Sequence, residues 1–203
     1  MTVGVDYVTL EAPDPAAVEE FVGAAFGPTL PVRARACDAT STGFRGFTLS
    51  LVVSQPSTVD ALIDAALGAG ATELKPAKKS LWGYGGAVYG PDGSIWTVAS
   101  SSKKDHGPAT REIDQFVLQL GVSDVAASKR FYVERGLDVA KSYGRRYVQF
   151  ASPTSPVVLA LYRRSNLAKT VDVSPDGTGS HRLVIHGGAG SFTDPDGFAW
   201  EAA

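Results

Sequence analysis

Apolar and polar positions along the first hundred residues change period in a definite order. Residues 3–10 are rich in β-formers, and then Val18, Phe21, Val22, Ala25 and Phe26 recur at spacings of three and four, which places them on one face of a helix. Asp14 followed by Pro15 supplies a cap and a first-turn proline ahead of that stripe. The pattern then predicts a short strand near residues 31–36, a strand from Phe47 to Val53, and a helix opening at Ser57. Val59, Leu62, Ile63, Ala66 and Leu67 form that helix's apolar stripe and Gly70 closes it. The remainder of this half alternates strand and turn, with strands at Ala87 to Tyr89 and Ile95 to Val98. Between them lies GPDG, whose proline and Asp-Gly pair favour a tight turn.

The plan is written twice. Pro195, Asp196, Gly197 and Trp200 repeat Pro91, Asp92, Gly93 and Trp96, and LQLGVSDVAASKRF repeats VTLEAPDPAAVEEF with Leu120, Asp124 and Phe131 against Leu10, Asp14 and Phe21. A period of about a hundred residues is that of tandem domains and not of a solenoid. The polar stretch SSSKKDHGPATRE contains the linker, 102–111, between a first domain at 1–101 and a second at 112–203. In the second copy a strand is expected at Phe116 to Val122 and a helix at Val125 to Arg135. Further strands fall at Tyr147 to Ala151, Val157 to Tyr162 and Arg182 to His186. The chain then passes almost directly into FTDPDGFAWE, so the counterpart of the helix at 58–69 is missing. The first copy has little between Ala36 and Phe44 to match the hairpin at 147–162.

Composition narrows the function. The 203 residues are 44% hydrophobic and 20% charged, enough to bury a sizeable core. A formal net charge of −2 leaves no basic surplus for phosphates, so neither nucleic acid nor membrane is expected as a partner. One cysteine, Cys37, excludes an internal disulfide and fits a reducing compartment, and residues 1–8 lack the form of a signal peptide. A cytoplasmic location is expected. GYGGAVYG lacks the Lys-Ser/Thr of a phosphate loop, and no GxSxG elbow is present.

Repeated βαβββ units ending in PDGxxW resemble the glyoxalase, bleomycin-resistance and ring-cleaving dioxygenase superfamily, the vicinal oxygen chelate proteins. The residues that carry the likeness are AGATELKPAKKSLW, GYGGAVYGPDGSIW, LGVSDVAASKRFY, VVLALYRR and FTDPDGFAWE. The resemblance implies an α+β fold in which βαβββ units form paired open barrels, some units here being shortened. The complete units, near 46–100 and 112–165, either pair with each other in a permuted barrel or close within their own copies. A chain carrying its own half-units is expected to be a monomer or a weak homodimer.

The same resemblance implies where a divalent metal would be held. The position seven residues before the helix cap is Tyr7 in one copy and Val117 in the other, and the carboxylate expected late in the second hairpin is replaced by Ala160. The first copy offers Phe47 and Thr97 at the remaining positions, neither a ligand of the usual kind. The second offers His181 and Glu201, two of four. Catalytic metal sites usually have three firm protein ligands. No resident cofactor is therefore expected, with a divalent metal at His181 and Glu201 as the alternative.

Without a metal the same cup can take a small organic molecule against aromatic and polar side chains. The candidates are Trp82 and Tyr84 in the WGYGG loop, with Gln115, Gln119, Tyr143, Tyr147 and Tyr162 from the second copy. Three functions follow: a metal-free binder of a small organic molecule, a metal-dependent lyase, isomerase or dioxygenase, and a scaffold whose cavities are filled.

Overall fold

A computed structural model describes residues 3–203 of the chain. The first copy supplies β1 (Val5–Ala12), α1 (Pro15–Phe26), β2 (Val32–Ala36), β3 (Ser41–Gly43), β4 (Phe47–Val52), α2 (Pro56–Gly68), β5 (Thr72–Ser80), β6 (Gly83–Tyr89) and β7 (Ile95–Ser100). The second supplies β8 (Gln115–Val122), α3 (Val125–Glu134), β9 (Val139–Ser142), β10 (Tyr147–Phe150), β11 (Val157–Arg163), α4 (Arg164–Thr170), β12 (Gly177–Gly179), β13 (Leu183–Gly187), β14 (Phe192–Thr193) and β15 (Ala199–Ala202).

Local chemistry sets the helices as the sequence predicts. Asp14 accepts the Ala17 N–H at 3.1 Å ahead of Pro15, and the five apolar stripe residues of α1 are all buried. Asp124 caps α3 in the same way, accepting from Ala126 and Ala127. The second helix departs from expectation at its start: it begins at Pro56 and Gln55 makes no side-chain cap. The cap comes instead from the linker, where Asp105 accepts the Ser57 N–H at 2.7 Å. Gln55 is spent holding the linker, accepting from His106 and Gly107 and donating to the carbonyls of Gly107 and Pro108. The linker is thus pinned along the start of α2.

Strand pairing answers the question of which units join. β4 and β8 run antiparallel in unbroken register from Phe47↔Leu120 to Val52↔Gln115. Each is flanked by the closing strand of its own unit, β7 parallel to β4 and β11 parallel to β8. The middle units therefore pair with each other, as β5-β6-β7-β4-β8-β11-β10-β9, and the two ends of this row do not meet. The shortened outer units pair likewise, through antiparallel β1 and β13, with β2 on one side and β15-β14 on the other. One residue pair, Val5↔Val157, links both groups into a single sheet.

The repeated PDG turns do the same work twice. Gly93 donates to the Gly90 carbonyl and Gly197 to the Asp194 carbonyl, each glycine holding a positive φ that closes a hairpin into a tryptophan-bearing strand. Those tryptophans, Trp96 and Trp200, are fully buried. The helix of the preceding unit covers each: Phe21 and Phe26 of α1 pack on Trp96, and Tyr132 of α3 packs on Trp200. Strands thus join the copies while helices brace each copy internally.

One reading of the sequence needs correction. WGYGG is not a loop, because Gly83 already begins β6 and only Leu81 and Trp82 lie between paired strands. The segment 164–170, to which the sequence pattern assigns no element, is the short helix α4. Between Ala36 and Phe44 there is, as expected, no counterpart of the hairpin at 147–162: the three-residue β3 pairs with β12 in a separate two-stranded ribbon. The expected missing helix is absent: β13 reaches β14 without one.

Candidate functional site

Side chains directly opposite one another across a ladder share a face, so the registers of the middle units define one wall. Ser50 faces Thr97 on one side and Val117 on the other, and Thr48 faces Gln119. Gln119 leads on to Ala160, and Ala160 to Gln149. On the far side Thr97 faces Ala87 and Ala99 faces Gly85. Of these positions Ser50, Gly85, Ala87, Thr97, Ala99 and Gln119 line a cavity of about 370 Å³, within the range for a small organic ligand.

The floor of this cup is polar and held in place. Gln119 accepts a hydrogen bond from the Thr48 hydroxyl at 2.7 Å and donates to the Tyr162 oxygen at 3.4 Å. The Tyr162 hydroxyl hydrogen is then left to point toward a ligand. Burial holds the Tyr162 phenol above its ordinary pKa, so it stays a donor at neutral pH. Tyr147 lies edge-on to Tyr162 with centroids 4.9 Å apart. Burial first, and then the neighbouring phenols of Tyr162 and Tyr143, push its pKa up to about 12.

Four of the seven predicted binding residues, Trp82, Tyr84, Gln119 and Tyr162, line the cavity. Trp82 stands at the tip of the β5–β6 hairpin, 85% exposed at the mouth. The Tyr84 hydroxyl turns away to Asp60 on α2, to which it donates at 2.8 Å. Tyr147 backs Tyr162, and Tyr143 stacks outside Tyr147 at 5.8 Å. Gln115 shares the phase of Gln119 but is exposed at the start of β8. Ser50, Lys75 and Lys78 were not singled out. Ser50 carried a signal, since Thr48 and Ser50 alternate with Phe47, Leu49 and Leu51 along β4.

The outer units present a second polar face. His186 of β13 lies opposite Tyr7 of β1 and its ring stacks on Tyr7 at 4.2 Å. Its Nε2 meets the Thr9 hydroxyl at 2.9 Å, and its Nδ1 is 3.9 Å from Glu201. Arg35 bridges Glu201 and Glu11, and Arg33 lies over the Tyr7 ring. Burial lowers the His186 pKa, partly offset by Glu201, so the imidazole is neutral at pH 7. A neutral imidazole between a hydroxyl and a carboxylate can relay a proton.

The predicted pair His181 and Glu201 is not brought together. His181 precedes β13, stacks on Phe198, and sets its two ring nitrogens against the carbonyl oxygens of Arg45 and Asp196. Glu201 has His186 as its neighbour instead. Among the described residues no three His, Cys, Asp or Glu side chains form a metal-holding group. At the middle-unit positions where the resemblance implies ligands stand Phe47, Thr97, Val117 and Ala160, of which Thr97 alone carries a polar side chain. Neither donor set fits a firmly held divalent cation.

Glyoxalase I from Zea mays is similar in structure, with a TM-score of 0.63 and 12% sequence identity over 99% of this chain and 92% of that chain. A Bacillus subtilis protein named as a candidate dioxygenase has a TM-score of 0.57 and 12% identity, over 96% of this chain and 72% of that one. No family profile matches the sequence, and no curated protein matches it. Among the described residues no helix is long and apolar enough to cross a membrane. The unit order and these structural likenesses make the chain an α+β protein with the vicinal oxygen chelate fold, that of glyoxalase, bleomycin-resistance and dioxygenase proteins.

Proposed function

We propose that this protein binds a small organic molecule in the cup between the two middle units, without a catalytic metal there. The observation that supports the reading most is the continuous cavity wall set by the registers of β6, β7, β4, β8 and β11. It joins small side chains, which leave room, to the held amide of Gln119 and the donor of Tyr162. At the floor, where Thr48 and Ser50 are buried, a hydrogen bond to a ligand gains from the lower local dielectric. The aromatic rim at Trp82 adds stacking of roughly 1 kcal/mol for a flat ligand. The small organic molecule acts as the partner of a monomer or weak homodimer, both barrels being built within one chain.

Ala99 lies beside Gly85 on the cup wall, and Ala99→Phe projects a ring into the cavity. In a thermal-shift screen of small aromatic compounds, a ligand at a hundred times its Kd should stabilise the protein by about 2.7 kcal/mol. The same compound should fail to shift the folded Ala99→Phe protein. Equal shifts in both proteins would place binding elsewhere and overturn the reading.

A further inference from the structure

The β5 edge of the cup carries an irregularity with a chemical consequence. In a regular strand Lys75 and Lys78, three positions apart, would project from opposite faces. The pairing with β6 slips instead. Lys75 lies opposite Ala87 and Lys78 opposite Gly85, with a register shift between them at Pro76 and Ala77. Ala87 and Gly85 are two residues apart and share the cup face. The bulge therefore sets both lysines on the cup face, Lys75 half-buried and Lys78 exposed at the rim, and both line the cavity. Bulges beside binding sites commonly re-aim a side chain in this way. Lys79, one position on, lies opposite Tyr84 and projects with it to the other side.

The charge balance of the cup is one-sided. Among the described residues that line it there are two lysines and no aspartate or glutamate. The Lys75 ammonium donates to the Thr170 carbonyl and pairs with Asp172 at 3.0 Å, at the rim beside α4. Lys78 has no carboxylate within ion-pair distance among the described residues. Lys141 of β9, opposite Gln149, shares the face on the far side. Below these cations the polar groups that line the cavity include the donor-capable hydroxyls of Ser50, Thr97 and Tyr162.

From this placement we infer that the ligand of the cup is an organic anion, an aromatic carboxylate whose ring lies against Tyr162 and Trp82 and whose charge is met by Lys78. The inference rests on the cup being the binding site. Lys78 selects the charge and Lys75, tied to Asp172, completes the field. An aromatic ammonium finds no counter-ion in this cavity and is rejected.

Calorimetric titration with 2-naphthoate, its neutral amide and 2-naphthylmethylammonium tests this, since the three share a ring and differ in charge. The expected result is naphthoate binding at least tenfold tighter than the amide, with the ammonium weakest. Lys78→Met should reduce that preference to within threefold, while Lys79→Met, which removes the same charge from the opposite face, should leave it unchanged. Circular dichroism of both variants checks the fold, and Lys75→Met supplies a second variant with a partial loss. An amide or ammonium that binds as tightly as naphthoate would overturn the anion inference alone, leaving the cup as a site. A naphthoate preference that survives Lys78→Met would also overturn it. Binding of none of the three at millimolar concentration would overturn both the inference and the cup reading.

Discussion

Phe26 and Trp96 pack with ring centroids 4.7 Å apart although they belong to different βαβββ units. The contact, with its counterpart between Tyr132 and Trp200 at 5.6 Å, explains why the closing turn and its tryptophan occur twice. Each tryptophan is the surface on which the preceding unit's helix rests. Truncating Phe26 to alanine should therefore loosen α1 from the middle barrel, at a cost of about 3–5 kcal/mol. Urea unfolding monitored by fluorescence would check it, and a loss under 1 kcal/mol would contradict the bracing role.

The second brace is also polar. Tyr132 donates to buried Asp194 at 2.7 Å and accepts from the Trp200 indole at 3.2 Å, while Asp194 accepts the N–H groups of Asp196 and Phe198. Tyr132→Phe keeps the ring and orphans two buried partners, so a cost of about 1–3 kcal/mol is expected from the same unfolding experiment.

The caps of α1 and α3, the duplicated turn and the missing helix were legible because each depends on neighbours in sequence, whereas the cap of α2 comes from Asp105 in the distant linker. Asp14 with Pro15, and Gly93 with Pro91, act over a few bonds. The pairing of β4 with β8 was legible only as one of two alternatives, since both arrangements bury the same apolar faces. Lys78 was invisible, because its direction depends on a register slip against β6 that no local pattern records. His186 was passed over for His181 because the resemblance fixes a place in the fold and not a residue count. In this shortened unit β13 begins only at Leu183, which puts His186 beside Glu201.

Two glycines separate backbone space from backbone strain. Gly23 lies within α1 with nothing near the position of an added Cβ, so Gly23→Ala should stabilise the protein by about 0.5–1 kcal/mol. Gly83 has a φ of 146° and its added Cβ would run into the Ser100 carbonyl oxygen. Gly83→Ala should cost about 1–3 kcal/mol and disturb the mouth of the cup. Thermal melts of the two variants should move in opposite directions.

Tyr147 gives a signature in pH. Its folded pKa, about 12, stands above the ordinary value of 10.0 because burial disfavours the phenolate. The native state thus holds this proton more tightly, so the contribution to stability is complete below pH 10 and is lost as pH rises toward 12. Absorbance titration at the phenolate band should show late-ionising tyrosines, with Tyr147→Phe removing one of them. A spectrum in which every tyrosine titrates near pH 10 would contradict the buried placement.

The most direct test of the cup is amide chemical-shift mapping of the isotope-labelled protein during titration with 2-naphthoate. The account predicts perturbations centred on Ser50, Gly85, Thr97, Gln119 and Tyr162. Perturbations centred on Tyr7, Thr9, His186 and Glu201 would contradict it, by moving the binding function to the outer units.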